Sequence, residues 1–428
     1  MKNKVPPISL FKTGKIIHLT ENGLGRLFDD EGKQIDLPFC LPGETIQYEE
    51  VQRRRKKDYY FKNIEAISSE RNDPLCPHFT KCGGCLLQHM KLGAYKEYKK
   101  SVILSLFTEN GLDPFVVEDP VFLDLKDRRR ANMDIVKKNG KVILGFHGFK
   151  SHGITNVEHC IVLDHEIESL LSPLKTALND ILNDFDKAKI FVLKADNGID
   201  LSLEIQEVSA LTPNQRNILL NFSKDVNLTR FTFRYRKTKD VIFEKEEPFV
   251  VIDDVRVTVN PWCFLQTSKK SDAILTKWVI DALPKKINKS VDLFCGRGTF
   301  TFPLSRYSNV LGVEGDKASI EALNQANEKA KRSIQTHVQD LFLTPIKTSE
   351  FEDVDVIVID PPRAGASAQC TEISKSSVPT VIYISCNPHT FVQDTKILEK
   401  GGYVLDRAHL LDQFLFTPHM EVVGIFKK

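Results

Sequence analysis

Between residues 290 and 427 the chain alternates short β-branched runs with amphipathic stretches. Val291-Asp292-Leu293, Val310-Leu311-Gly312-Val313, Val354 to Ile359 and Val381-Ile382-Tyr383-Ile384 each stop at a polar turn. Near-continuous apolar strands separated by helices predict a parallel sheet covered on both faces, with ligands held at its rim. Upstream, about Val116 to Glu246, apolar runs alternate across Asn139-Gly140 and Asn197-Gly198. Each pair is a strong hairpin signal. Helical stretches near His165 to Phe185 and Pro213 to Phe222 interrupt these strands, which makes the region α+β. From Ile8 to Ile67, glycine turns punctuate short apolar pieces at the spacing of a small β-barrel. The reading is therefore multidomain: a barrel over 1–67, a central α+β region over 68–246 and an α/β domain over 247–428. A lysine-rich helix near 91–110 is expected to pack on the last of these.

A length of 428 residues suits two or three domains. With 41% apolar and 27% charged residues the chain is an ordinary soluble composition. Its net charge of +2 leaves attraction for nucleic acid to local clusters, such as Arg53-Arg54-Arg55-Lys56-Lys57 followed by Tyr59, Tyr60 and Phe61. Cations for phosphates beside aromatics for bases suit an RNA-binding barrel; a solvated hairpin would read the same. No apolar stretch has the length of a membrane span, and Met1 to Pro7 lacks the core of a signal peptide, so a cytoplasmic protein without a membrane partner is expected.

Nine cysteines, an odd number, argue for metal binding or catalysis rather than a disulfide framework. Cys76, Cys82 and Cys85 lie on one loop with Gly83 and Gly84, and Cys160 is the best fourth ligand. Four thiolates of this spacing suit an iron–sulfur cluster; structural zinc is the competing reading.

The turns after the apolar runs carry the remaining chemistry. Phe294-Cys295-Gly296-Arg297-Gly298-Thr299 leads into a helix, where glycines let the backbone approach a ligand. Glu314 ends the next strand, where an acid accepts from ribose hydroxyls; Asp340 and Asp360 follow at later strand ends. Three acids in succession describe a nucleoside pocket. Without a Walker lysine motif, it fits an adenosyl group rather than a diphosphate. Cys386 in Ser385-Cys386-Asn387-Pro388 is a candidate nucleophile at the sheet rim, against the plainer reading of a buried small hydrophobe.

Together with Asp360-Pro361-Pro362-Arg363 and the late Asp412-x-Phe414…Thr417-x-His419-x-Glu421, these motifs resemble the bacterial RNA 5-methyluridine methyltransferases over nearly the whole chain. The resemblance is nearest to the 23S rRNA branch that carries a TRAM barrel and an iron–sulfur cluster. It implies S-adenosyl-L-methionine and a [4Fe-4S] cluster as cofactors, and 23S rRNA with a flipped-out uridine as partner of a monomer. Position by position, it implies Gln266, Phe294, Thr299, Glu314, Asp340 and Asp360 for cofactor binding, Cys386 as nucleophile and Glu421 as base. Thr299 stands where asparagine is usual, Ser268 replaces an asparagine and Leu415 a proline.

Uracil C5 is a poor nucleophile until a thiolate adds at C6, so Cys386 is expected to be partly ionised. Removal of the C5 proton then frees the product, the role implied for Glu421. An adenine amino-methyltransferase would carry an aromatic residue where Arg363 stands. A cytosine-C5 enzyme would carry a cysteine in the proline turn. A non-catalytic RNA-binding protein would have no need of the pair Cys386 and Glu421. A transfer-RNA substrate remains the alternative to ribosomal RNA.

Overall fold

The computed structural model describes residues 8–52, 57–236 and 238–428. Most of the basic run, Arg53 to Lys56, lies outside them. Two compact units emerge: Met1–Val102 with His147–Gly153 and Phe416–His419, and Ile103–Phe146 with Ile154–Leu415 and Met420–Lys428.

In the first unit, strands Ile8–Lys15, Thr45–Gln52 and Lys57–Ala66 form one antiparallel sheet, and His18–Leu19, Gly25–Phe28 and Gln34–Leu37 another. Alternating residues from both, Leu27, Ile35, Leu37, Ile46 and Tyr48, meet in one small core. The cysteine loop follows. Gly83 packs so tightly that a Cβ there would come within 2.7 Å of the His147 carbonyl, which is why glycine occupies it.

The second unit contains two large sheets. The first runs in the order Ile154–Asn156, Lys141–His147, Arg130–Lys138, Lys187–Ala195, Gly198–Ile205, Arg230–Tyr235, Thr238–Glu244. Asn139 and Gly140 both take positive φ, 53° and 72°, which closes the expected hairpin. Helices Leu171–Ile181 and Pro213–Asp225 cover one face through Leu174, Leu178, Leu219 and Phe222. Arg230 and Asp200 form a buried two-pronged pair at 2.9 and 2.8 Å across adjacent strands. Removing one partner strands the other charge without solvent. Arg230→Met is therefore expected to cost about 3–5 kcal/mol, read as a lowered urea midpoint.

The second sheet is built from β1 (Lys289–Leu293), β2 (Asn309–Glu314), β3 (Ile334–Val338), β4 (Val356–Ile359), β5 (Thr380–Ser385), β6 (Val404–Asp412) and β7 (Glu421–Lys427). Their order is β3-β2-β1-β4-β5-β7-β6, with the short strand Val121–Phe122 beyond β6. β1 to β5 run parallel, as the apolar runs predict, and β7 inserts antiparallel between β5 and β6. Helices Lys269–Asp281, Lys317–Ala330, Ser367–Ser374 and Pro388–Lys400 accompany the sheet. The lysine-rich helix spans Leu92–Glu109, and its Ile103, Leu106 and Phe107 enter this domain's core beside Val381 and Phe391. No helix among the described residues is long and apolar enough to cross a membrane.

Candidate active site

All the strand-end acids face one rim because β1 to β4 are parallel neighbours. β1 runs into Phe294, which sits in the left-handed region at φ 60°. That conformation is costly for an aromatic residue and marks a turn fixed by its surroundings. Its ring lies 5.4 Å from that of Phe342. Gly298, at φ 96°, would place a Cβ 2.8 Å from Phe302, so only glycine closes this turn before half-buried Thr299. At the end of β2, Glu314 accepts from the Gly296 amide at 3.1 Å and the Asp316 amide at 2.8 Å. Asp340, exposed after β3, accepts from the Phe342 amide at 3.0 Å. The glycine turn, the two acids and an aromatic pair at the mouth together fit an adenosyl group, with carboxylates for hydroxyls and a ring face for the base.

Next to it stands the reactive pair. β5 and β7 pair antiparallel with Ser385 opposite Val422. Cys386 follows Ser385 and Glu421 precedes Val422, so the two residues flank the end of that ladder, and the Glu421 charge acts on the Cys386 thiol. Asn387 fixes the turn beyond. It caps the following helix by accepting from the His389 amide, and its side-chain amide donates to the Arg363 carbonyl at 3.0 Å. The cysteine turn and the proline turn of Asp360 to Arg363 are thereby pinned together.

Buried amides connect these groups. Gln266 donates to Asp360 Oδ2 at 3.1 Å; Gln413 donates to Gln266 Oε1 at 3.3 Å and to Glu421 Oε2 at 2.5 Å. Thr267 donates to Gln413 Oε1 at 2.9 Å. Arg129 braces this segment: its backbone amide donates to the Thr267 carbonyl, its side chain to the Gln266 carbonyl and to Asp272. Arg129 is buried, and Arg130 lies over the ring of exposed Phe264 at 4.4 Å.

The electrostatics correct one expectation. Burial, then the charges of Glu421 and Asp360, push the Cys386 thiol up to about 12, with Arg363 offsetting only part. A polar strand end alone does not make a thiolate here. Burial raises Glu421 to about 7, opposed by the Gln413 hydrogen bond, and raises Asp360 well above the carboxylate range with help from Glu421.

The cysteines proposed as metal ligands divide between the units, with Cys76, Cys82 and Cys85 in the first and Cys160 in the second. Gly84 donates its amide to Cys82 Sγ at 3.4 Å, a contact suited to a thiolate ligand. Among the described residues, however, no three His, Cys, Asp or Glu side chains converge closely enough to hold a metal ion. By its chemistry, a set of four thiolates suits an iron–sulfur cluster or a structural zinc.

Comparison with known proteins decides the family. A model for tRNA (Uracil-5-)-methyltransferase matches residues 249–428. An uncharacterized RNA methyltransferase of Agrobacterium fabrum is 32% identical over 92% of this chain and 94% of its own. The 23S rRNA (uracil(1939)-C(5))-methyltransferase RlmD of Aliivibrio salmonicida is 30% identical over 96% and 95%. The chain belongs to the RNA uracil-5-methyltransferases. Its fold matches that of the Pyrococcus abyssi tRNA (uracil-54, C5)-methyltransferase, solved with S-adenosyl-L-homocysteine, at a TM-score of 0.75 and 23% identity over 97% of this chain and 99% of that one. Within this family the site adds Gln413, Thr267, Arg129 and Phe264 to the residues the motifs name. Phe264 carried the one available signal, a large apolar residue beside a candidate ligand.

Proposed function

We propose that this family member methylates C5 of a flipped-out uridine in RNA, with S-adenosyl-L-methionine as donor, Cys386 as nucleophile and Glu421 as base. The observation that carries the reading is that the β5–β7 ladder ends at Ser385 and Val422, next to Cys386 and Glu421, with the Glu421 charge acting on the Cys386 thiol. Phe294, Glu314, Asp340, Asp360, Gln266 and Thr299 would hold the donor. When bound, that cofactor supplies an electrophilic methyl group to C5. Cys386 Sγ loses its proton to solvent and bonds to C6, making C5 electron-rich. Glu421 then takes the C5 proton; the C5–H electron pair restores the C5–C6 double bond as the C6–S bond breaks, and Cys386 leaves as thiolate with the C6–S pair. The exposed face of Phe264 under Arg130 offers the extruded base or its neighbour a stacking surface.

The barrel over 1–67 and the central region over 68–246 serve RNA binding in this reading, with methyl transfer confined to 247–428. In the first unit a cavity of about 400 Å³ is lined by Phe39, Tyr59, Phe61, Lys62, Phe149 and Lys150, the mixture of rings and cations that suits single-stranded RNA. The TRAM-like character of the sheets and a [4Fe-4S] cluster on Cys76, Cys82, Cys85 and Cys160 belong to the same proposal. Anaerobically purified protein is expected to carry iron and acid-labile sulfide, and Cys82→Ser to lose both; zinc without sulfide would replace the cluster by a structural zinc site.

Two RNA classes have separate support. The relative from Aliivibrio salmonicida acts by name on 23S rRNA, and the full-length fold match acts on tRNA. Nucleoside mass spectrometry of both RNAs, from cells with and without the gene, tests the function. Loss of 5-methyluridine from one class names the substrate; no loss from either overturns the reading.

A further inference from the structure

Gln413 occupies the variable position of the Asp412-x-Phe414 motif, and its placement is specific. β6 ends at Asp412, immediately before Gln413, and Leu411 pairs with Glu421, so the chain leaving β6 passes beside that carboxylate. Every polar atom of the Gln413 amide is used. Its nitrogen donates to Glu421 Oε2 and Gln266 Oε1, and its oxygen accepts from the Thr267 hydroxyl. All four residues are buried, with Glu421 2% and Gln413 6% exposed. The Thr267 hydroxyl fixes the amide's orientation, leaving its nitrogen for the two acceptors. A donor aimed at an ionised carboxylate strengthens as water is excluded.

We propose that Gln413 is a positioning residue for product release: it holds Glu421 ionised and aimed at the C5 proton, and ties that aim to Gln266 on the cofactor side. The inference rests on the functional reading above. The titratable groups facing Glu421 are Cys386 beyond β5 and Asp360 on the turn after β4, with Asp412 at the end of β6 beside Gln413. Cys386 and Asp360 favour a protonated Glu421 when charged, so a neutral donor on the base is the opposing influence.

The test separates adduct formation from adduct decay. Unmodified 23S rRNA fragments and tRNA transcripts are mixed with enzyme and methyl-labelled S-adenosyl-L-methionine, and the covalent protein–RNA species is followed on denaturing gels from pH 6 to 9. A hydrogen bond to a charged group is worth about 1.5–3 kcal/mol, so Gln413→Met should slow decay about 10–100-fold more than it slows formation. The pH midpoint of decay should move alkaline relative to wild type. Thr267→Val, which frees the amide to turn, should shift both quantities in the same direction by less. Equal slowing of formation and decay, with the midpoint unmoved in both variants, would make Gln413 a packing residue and overturn the inference. Wild-type protein that methylates no uridine in either RNA would strike the functional reading itself. An active wild type with an unshifted ratio would strike only this one.

Discussion

Cys386→Ser is expected to abolish uridine methylation, lowering the single-turnover rate by at least about 10⁴-fold, the scale on which removal of a covalent nucleophile is felt. The hydroxyl is far less acidic than the thiol, and burial beside Glu421 and Asp360 already disfavours an anion here. It would have to ionise against a larger deficit, so no C6 adduct should form and none should be trapped on a denaturing gel. Cofactor affinity, measured by calorimetry, should change less than threefold, because the proposed adenosyl contacts come from β1 to β4 and the Asn387 cap keeps the turn in place. Methylation persisting within tenfold of wild type would exclude Cys386 as the nucleophile. The neutral state of this thiol in the ligand-free protein gives the dependence a second edge. Alkylation of Cys386 by iodoacetamide should be slow at pH 7, since the thiolate is the reactive form.

How far the sequence led depends on the kind of information each residue needs. The parallel strands were legible because two-sided burial forces runs such as Val381 to Ile384, and a glycine turn must follow where Gly296 and Gly298 adopt positive φ. The hairpins at Asn139-Gly140 and Asn197-Gly198 were legible for the same local reason. By contrast, the proximity of Cys386 and Glu421 depends on β7 inserting between β5 and β6, a pairing of segments 35 residues apart that no local pattern encodes. Arg129's role was not legible locally because its partners, Gln266 and Asp272, lie more than 130 residues away. Ionisation is the least legible property. The same strand-end turn that exposes Cys386 to substrate also encloses it with two carboxylates, and only the assembled site shows which influence wins.

Glu421→Gln should convert the enzyme into one that attaches to its RNA and stays attached. The substitution preserves volume and an oxygen for Gln413 to donate to, and removes the carboxylate proposed to accept the C5 proton. Adduct formation should continue, release should fall by about 10²–10⁴-fold, and a protein–RNA complex carrying the methyl group should survive denaturation. Unimpaired release would show that another base acts. Stability should move the opposite way from activity. Burial lifts the folded-state value of Glu421 to about 7 from an ordinary carboxylate value. Folding therefore takes up a proton between those limits: the stabilisation is fully present below the unfolded value and is lost as pH rises to about 7. Above that pH the wild type holds a buried charge that the variant lacks, a difference of up to roughly 4 kcal/mol. Glu421→Gln is thus expected to melt at a temperature equal to or above wild type at pH 8, with the gap closing toward pH 5. In the proposed mechanism, an acid held at this position against its own burial costs the fold stability and supplies the base that takes the C5 proton.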